Sequence, residues 1–457
     1  MRARALVLPL LVVGAAAAGA TSNTAPEWGR FGYDPGRRNS GPAATGITAA
    51  NLSKLIRRQV VLDGTADSSP ILADGLAIVT TSYGKAIAVD VRSDRIRWRY
   101  TPPGYSGWAG SDRITNSSPL VSDDRDFVYT ASPDGRIHKL ELHTGREVKS
   151  GHWPAVVTRS PEREKLGTAI NALGRLLFVT TGGYIGDAPP YQGHVVAIDG
   201  ATGAIVHVWN ALCSDRRTLI DPATCPESGA AIWARSGVVL DPANGNVLVA
   251  TGDGRWDGKR YWGDSVLVLA PEADRLVASW TPASQAELDS GDVDLGSTAP
   301  AMLPGRLAVQ SGKDGIMRLL DLAKFGLGKQ GGEIQTLPTP SGGGLFSAPA
   351  VFGNWVYVAD FGATAAYRLE GRRLKLVWRR SFSGTSPVRA GGLLYVYDPG
   401  GALRVYQPTT GRVLATLAAG PGHWNSPIVA AGYVILPEGS ANDHATRGVL
   451  DIYRLPG

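Results

Sequence analysis

Residues 385–420 read TSPVRAGGLLYVYDPGGALRVYQPTTGRVLATLAAG, and this stretch decides the fold. Ser386-Pro387 opens a short apolar run at Val388. A β-rich run follows at Leu394-Tyr395-Val396. Gly400-Gly401 then supplies a turn, a further strand pattern follows, and Thr410-Gly411 turns the chain into a last run. Short alternating segments separated by glycine turns are the signature of antiparallel strands.

The same order recurs along the chain. Ser69-Pro70, Ser118-Pro119 and Ser426-Pro427 open other units, with Ala299-Pro300 and Ala348-Pro349 as variants. β-rich runs such as Ile78-Val79-Thr80, Val128-Tyr129-Thr130 and Val356-Tyr357-Val358 follow them. Asp134-Gly135 and Asp314-Gly315 fill the turn slot. Units end in Thr-Gly (Thr144-Gly145, Thr202-Gly203) or in a Trp (Trp98, Trp209, Trp280, Trp378). Two units lack the Ser-Pro opening but keep the rest. Unit starts therefore fall near 67, 116, 168, 233, 297, 346, 384 and 424. A repeat of roughly 40 to 65 residues with three or four short strands is one blade of a β-propeller, because a lone blade cannot bury both of its faces. The sequence thus predicts an all-β, eight-bladed propeller in one domain, 21–457. The N-terminal segment, Trp28 to Ile56, is expected to supply a strand to the last blade and remove its open edge. The stretches 204–232 and 253–296 read as long, functional insertions.

Composition agrees. The chain has 457 residues, 58 Gly, 30 Pro, 43% hydrophobic and 19% charged residues, and a net charge of +6. Such a mixture excludes disorder, and the glycines have no collagen period. No basic block marks a nucleic-acid partner, and no apolar run after the N-terminus is long enough for a membrane span. Residues 1–20 read as a signal peptide: Arg2 and Arg4, the apolar run Ala5 to Val13, and Ala18-Gly19-Ala20 as cleavage site. No Cys follows that site, so a lipid anchor is not expected. Periplasmic or secreted location follows. There, Cys213 and Cys225, at the ends of CSDRRTLIDPATC, are expected to form a disulfide. No CxxCH occurs, so no covalently held haem is expected. GxxxxGK[ST], HExxH and GxSxG are also missing.

The ending Ala197…Asp199…Thr202-Gly203…Trp209 resembles the repeat of the pyrroloquinoline quinone (PQQ) propeller family. The opening Trp28-Gly29-Arg30-Phe31-Gly32-Tyr33-Asp34, with Ile47 to Leu55, is similar to the start of PQQ-dependent alcohol dehydrogenases. The resemblance implies a quinoprotein-type propeller, shorter than the family dehydrogenases. It also implies a site: a Ca²⁺ held by Glu, Asn and often Asp, a floor Trp under the quinone, an Asp base, and a Lys or Arg at the quinone oxygens. Trp233 resembles the floor. Asp253, in Thr251-Gly252-Asp253, stands where the family has Asn. Asp187 falls within one residue of the ligand Glu. Asp292 and Asp294 stand in the base motif, without its aromatics, and Asp294 is also expected to bind metal. Lys313 resembles the quinone-contacting Lys. The family's adjacent-cysteine pair is absent.

These residue types suit the chemistry. Alcohol oxidation needs a base for the hydroxyl proton, a Lewis acid of the Ca²⁺ type, and an apolar floor for a flat cofactor. The acidic run Leu288-Asp289-Ser290-Gly291-Asp292-Val293-Asp294 needs a cation or hydrogen bonds to offset its repulsion, and a structural Ca²⁺ would also serve. Two functions remain open. One is a PQQ- and Ca²⁺-dependent oxidoreductase acting on an alcohol or sugar, with a separate electron acceptor. The other is a non-catalytic scaffold for an envelope protein or surface polymer.

Overall fold

Each sequence repeat folds as a four-stranded antiparallel sheet, and eight such sheets form the propeller. The computed structural model describes residues 27–456; the signal peptide expected at 1–20 lies outside the described residues. Blades one to seven span 71–100, 120–156, 171–210, 239–280, 301–338, 350–380 and 388–418. Blade eight takes three strands from 428–454 and its fourth, outermost strand from Ile56–Leu62. That strand pairs antiparallel with Gly448–Arg454, from Ile56 opposite Arg454 to Leu62 opposite Gly448. The ring is thereby closed.

Burial explains the sequence pattern. In blade one, Leu76–Thr80 is buried throughout, because neighbouring blades cover both faces. The outermost strand, Arg95–Tyr100, buries Trp98 and Tyr100 and exposes Arg95, Arg97 and Arg99. The two repeat endings turn out to be one device. The Trp98 indole donates to Leu142 O of the next blade at 2.8 Å, and Trp378 to Pro408 O at 2.7 Å. Each ring lies on the next blade's Thr-Gly turn. A Cβ at Gly145 would come 2.5 Å from the Trp98 ring, and one at Gly411 would come 2.5 Å from Trp378. Both glycines also have positive φ, +69° and +65°. The Ser-Pro openings tie blades together near the axis. Ser118 Oγ accepts from Ser69 N (3.0 Å), and Ser386 Oγ accepts from Ala348 N (2.9 Å).

Two expectations need correction. The closing strand is Ile56–Leu62, so only Ile56 of the segment 28–56 contributes to it. The rest of that segment is a strap across one end of the propeller. Its backbone meets the innermost strands of five blades, through bonds such as Leu72 N to Trp28 O (2.8 Å), Leu240 N to Pro35 O (3.0 Å) and Arg389 N to Asn39 O (2.9 Å). Phe31 packs on Ala169 and Ala348, which lead into blades three and six. Buried Arg37 donates to Phe31 O (2.6 Å), Ala169 O (3.1 Å) and Ile170 O (2.9 Å). Second, the supposed insertions 204–232 and 253–296 contain blade strands, Ile205–Asn210, Val266–Leu269 and Leu276–Trp280. The inserted chain is confined to the connections around them. One of these carries the disulfide Cys213–Cys225. Another carries a helix, Gln285–Ser290.

Antiparallel pairing puts the start of each innermost strand and the end of the second at the same end of the blade. Loops before strand one and after strand two therefore gather at the end away from the strap. Among the described residues, no helix is long and apolar enough to cross a membrane.

Candidate active site

At that gathering end lies a cavity of about 200 Å³. Its walls include Asp187, Trp233, Asp253, Asp294 and Lys313, which come from loops of three successive blades. Trp233 and Asp294 precede the innermost strands of blades four and five. Asp187, Asp253 and Lys313 follow the second strands of blades three, four and five. The spacing along the chain is thus the blade repeat itself.

The centre is tightly built. Asp253 N donates to Asp294 Oδ1 at 2.8 Å. A Cβ on Gly252 would lie 1.9 Å from the same oxygen and 3.3 Å from Trp233 Nε1, so only glycine fits there. Lys313 Nζ donates to Asp292 Oδ1 at 2.7 Å and is ion-paired with Asp294. It sits 5.7 Å from the centre of the Trp233 ring. Asp292, just past the helix, is exposed and held at φ +49°. Asp253, Asp292 and Asp294 each bring one oxygen within 4.8 Å of the others. Asp187, expected among the ligands, lies at the rim outside that set. Its Oδ1 is pressed against Gly183, where a Cβ would come within 2.5 Å.

Crowded carboxylates shift one another. Burial, then the Asp294 carboxylate, pushes Asp253 up to about 8. Burial and then the charge of Asp294 also raise Asp187. Burial alone would lower Lys313, but Asp294 and Asp292 outweigh it and keep the ammonium charged. Behind the cluster stands Asp264, fully buried. Its Oδ1 accepts from Leu295 N (3.0 Å), and among the described residues its Oδ2 has no hydrogen-bond partner. Burial pushes Asp264 up to about 8.

The opposite wall was not foreseen from the sequence. Buried Asp67 accepts from His423 Nδ1 (2.8 Å), Asn116 Nδ2 (3.0 Å) and Trp424 N (2.8 Å), and so fixes His423 and Trp424 at the cavity. Arg235 Nη2 donates to Asp67 O at 2.8 Å. Lys165 completes this wall, and burial lowers it to about 8. Asp67 and His423 are brought together by ring closure between blades one and eight, which leaves no local sequence signal.

The donor set fits a hard cation. Three carboxylate oxygens within 4.8 Å can face one ion at 2.3–2.6 Å. The Lys313 ammonium sits on two of these carboxylates. Trp233, half-buried in the cavity wall, offers an indole on which a flat cofactor could rest.

Fold and repeat define an eight-bladed propeller of the quinoprotein type, and comparison with known proteins agrees. Residues 49–218 match the family model described as outer membrane protein assembly factor BamB. The chain is 22% identical to the quinohemoprotein alcohol dehydrogenase ADH IIB of Pseudomonas putida, over 95% of this chain and 70% of that protein. It is 22% identical to the dehydrogenase subunit of the quinone alcohol dehydrogenase of Acetobacter aceti, over 57% of this chain and only 39% of that subunit. Among solved structures, the quinohemoprotein alcohol dehydrogenase of Comamonas testosteroni superposes with a TM-score of 0.72 at 16% identity, covering 94% of this chain and 81% of that one. A europium-containing methanol dehydrogenase superposes equally well, with a TM-score of 0.72, 16% identity, and coverage of 94% and 98%. At these identities the structural likeness concerns the fold.

Proposed function

We propose that this protein is an exported dehydrogenase, one propeller domain over 21–457, that oxidises an alcohol using PQQ and a hard cation. The observation that carries this reading is the meeting of Asp187, Trp233, Asp253, Asp294 and Lys313 at one cavity. When bound, the quinone supplies the two-electron oxidant, and the cation polarises its carbonyl. The chain's own residues have separable tasks. Trp233 is the floor, and Asp253, Asp292 and Asp294 face the cation. Asp187 is close enough to Asp294 to feel its charge and joins them if the cation draws it inward. Whichever of Asp294 and Asp292 is left free by the cation would take the hydroxyl proton, and Lys313, beside the Trp233 ring, would face the quinone oxygens. Lys165 and Arg235 supply positive charge for a polycarboxylate. Ca²⁺ is the first candidate cation, and the europium protein makes a trivalent ion the second. Electrons then pass to a separate acceptor.

The test is reconstitution with PQQ and Ca²⁺, followed by dye reduction over a panel of alcohols and sugars. Cation-dependent turnover that Asp294→Asn abolishes supports the reading. No turnover and no quinone uptake would favour the second reading, a scaffold for an envelope protein, which the BamB-type match over 49–218 supports.

A further inference from the structure

We propose that the aromatic shelf running outward from Trp233 is the substrate subsite, and that it selects alcohols with an aryl or long apolar body over sugars. This rests on the dehydrogenase reading and names its substrate class. Four rings from blades four, six and eight form the shelf. Trp233 and Phe346 are 6.1 Å apart, Phe346 and Phe361 are stacked at 5.9 Å, and Trp424 lies 5.2 Å from Phe346 and 5.8 Å from Phe361. Trp233 and Trp424 line the main cavity. Phe361 is at the outer end and is 48% exposed. The shelf therefore leads from the carboxylates and Lys313 to solvent without a break.

Three of these rings are half-buried and Phe361 is exposed, and covering their remaining apolar surface with a ligand recovers transfer energy. Aromatic rings also stack on sugars, so the polar groups around them decide. Sugar recognition needs donors and acceptors free to meet hydroxyl groups. Under Phe346 and Phe361, at the outer part of the shelf, they are committed elsewhere. Asp360, under Phe361, accepts from Ser341 N (2.7 Å), Gly362 N (2.9 Å) and Ala363 N (2.7 Å). Thr385 Oγ1 donates to Asn425 O (2.6 Å), and Ser347 Oγ donates to Ala359 O. The space beneath the rings is about 10 Å³, too small for a side group to enter. What is left to a ligand is the apolar face of the rings. Its hydroxyl belongs at the acidic end, beside Lys313.

The experiment is an equilibrium titration of the full chain with 3-phenylpropan-1-ol, 1-octanol and glucose, followed by the fluorescence of the tryptophans in the shelf. Binding of the two apolar alcohols, with glucose at least tenfold weaker, is expected. Phe361→Ser, at an exposed position, should weaken phenylpropanol about tenfold and leave Ca²⁺ binding at the carboxylates unchanged. Phe346→Leu, which keeps an apolar volume, should weaken it as well. Glucose binding as tightly as phenylpropanol, or both variants retaining wild-type affinity, would overturn the proposal. The two readings fail separately. Phenylpropanol bound by a protein that takes up neither PQQ nor Ca²⁺ would sink the dehydrogenase and keep the shelf. Uptake of PQQ and Ca²⁺ without phenylpropanol binding would do the reverse.

Discussion

Asp253→Asn should make the cation-free protein more stable, increasingly so as pH rises. An Asp unfolds into water with a pKa near 3.9, whereas in the folded protein burial and Asp294 hold Asp253 at about 8. A group raised on folding keeps its proton in the native state while the unfolded chain ionises. Wild-type stability should therefore fall from about pH 4 to about pH 8 and level off above. Asparagine copies the protonated form and does not titrate. The variant should match wild type near pH 4 and lead by a widening margin up to pH 8. The full shift would correspond to about 6 kcal/mol, but solvent screening at a cavity wall reduces this, and about 1–2 kcal/mol is the expected margin. Urea unfolding in EDTA between pH 4 and 8.5 reads it directly. Adding Ca²⁺ should reverse the order. Wild type gains about 2.7 kcal/mol at a hundredfold excess over Kd, and the variant gains less because one ligand charge is gone. A margin that does not change with pH, or a variant less stable than wild type at pH 8 in EDTA, would refute this electrostatic account.

Gly145→Ala should cost about 1–3 kcal/mol in urea unfolding, since the new methyl meets the Trp98 ring and φ is +69°. Trp98→Leu in the same protein should remove most of that cost. Reduction of Cys213–Cys225 should lower stability by about 3 kcal/mol and leave the far-ultraviolet circular dichroism of the sheets intact, because the bridge lies outside the blade strands. Unfolded, unreduced protein should show no free thiol. Arg37→Met should destabilise by about 3–5 kcal/mol, since it strands the buried carbonyls of Phe31, Ala169 and Ile170 without a donor. An Arg37 variant with unchanged unfolding would mean that these bonds do not help hold the strap to the blades.

The eight blades are legible in the sequence because the repeat is itself the contact between blades. Thr144-Gly145 exists to accept Trp98, and Ser118-Pro119 to accept the backbone of Ser69. A signal repeated by packing survives even where single strands are short. Closure by the N-terminal part of the chain is legible, but the strap is not, because residues 28–45 bond to inner strands singly, without a ladder, which leaves no period to read. Of the site, Trp233, Asp253, Asp294 and Lys313 are found through resemblance and repeat spacing together. Asp67 and His423, 356 residues apart, are not, because only ring closure joins them. Asp264 was missed for another reason. Its sequence neighbours mark a turn, and only its burial and the lone Oδ2 set it apart.

Equilibrium dialysis of PQQ against the purified chain, with Ca²⁺ or with EDTA, tests the central claim most directly. The account predicts one quinone retained per chain with Ca²⁺, little with EDTA, and weak retention by Trp233→Ala in either buffer. Retention that ignores the cation and survives Trp233→Ala, or no retention at any quinone concentration, would contradict the assignment of this cavity.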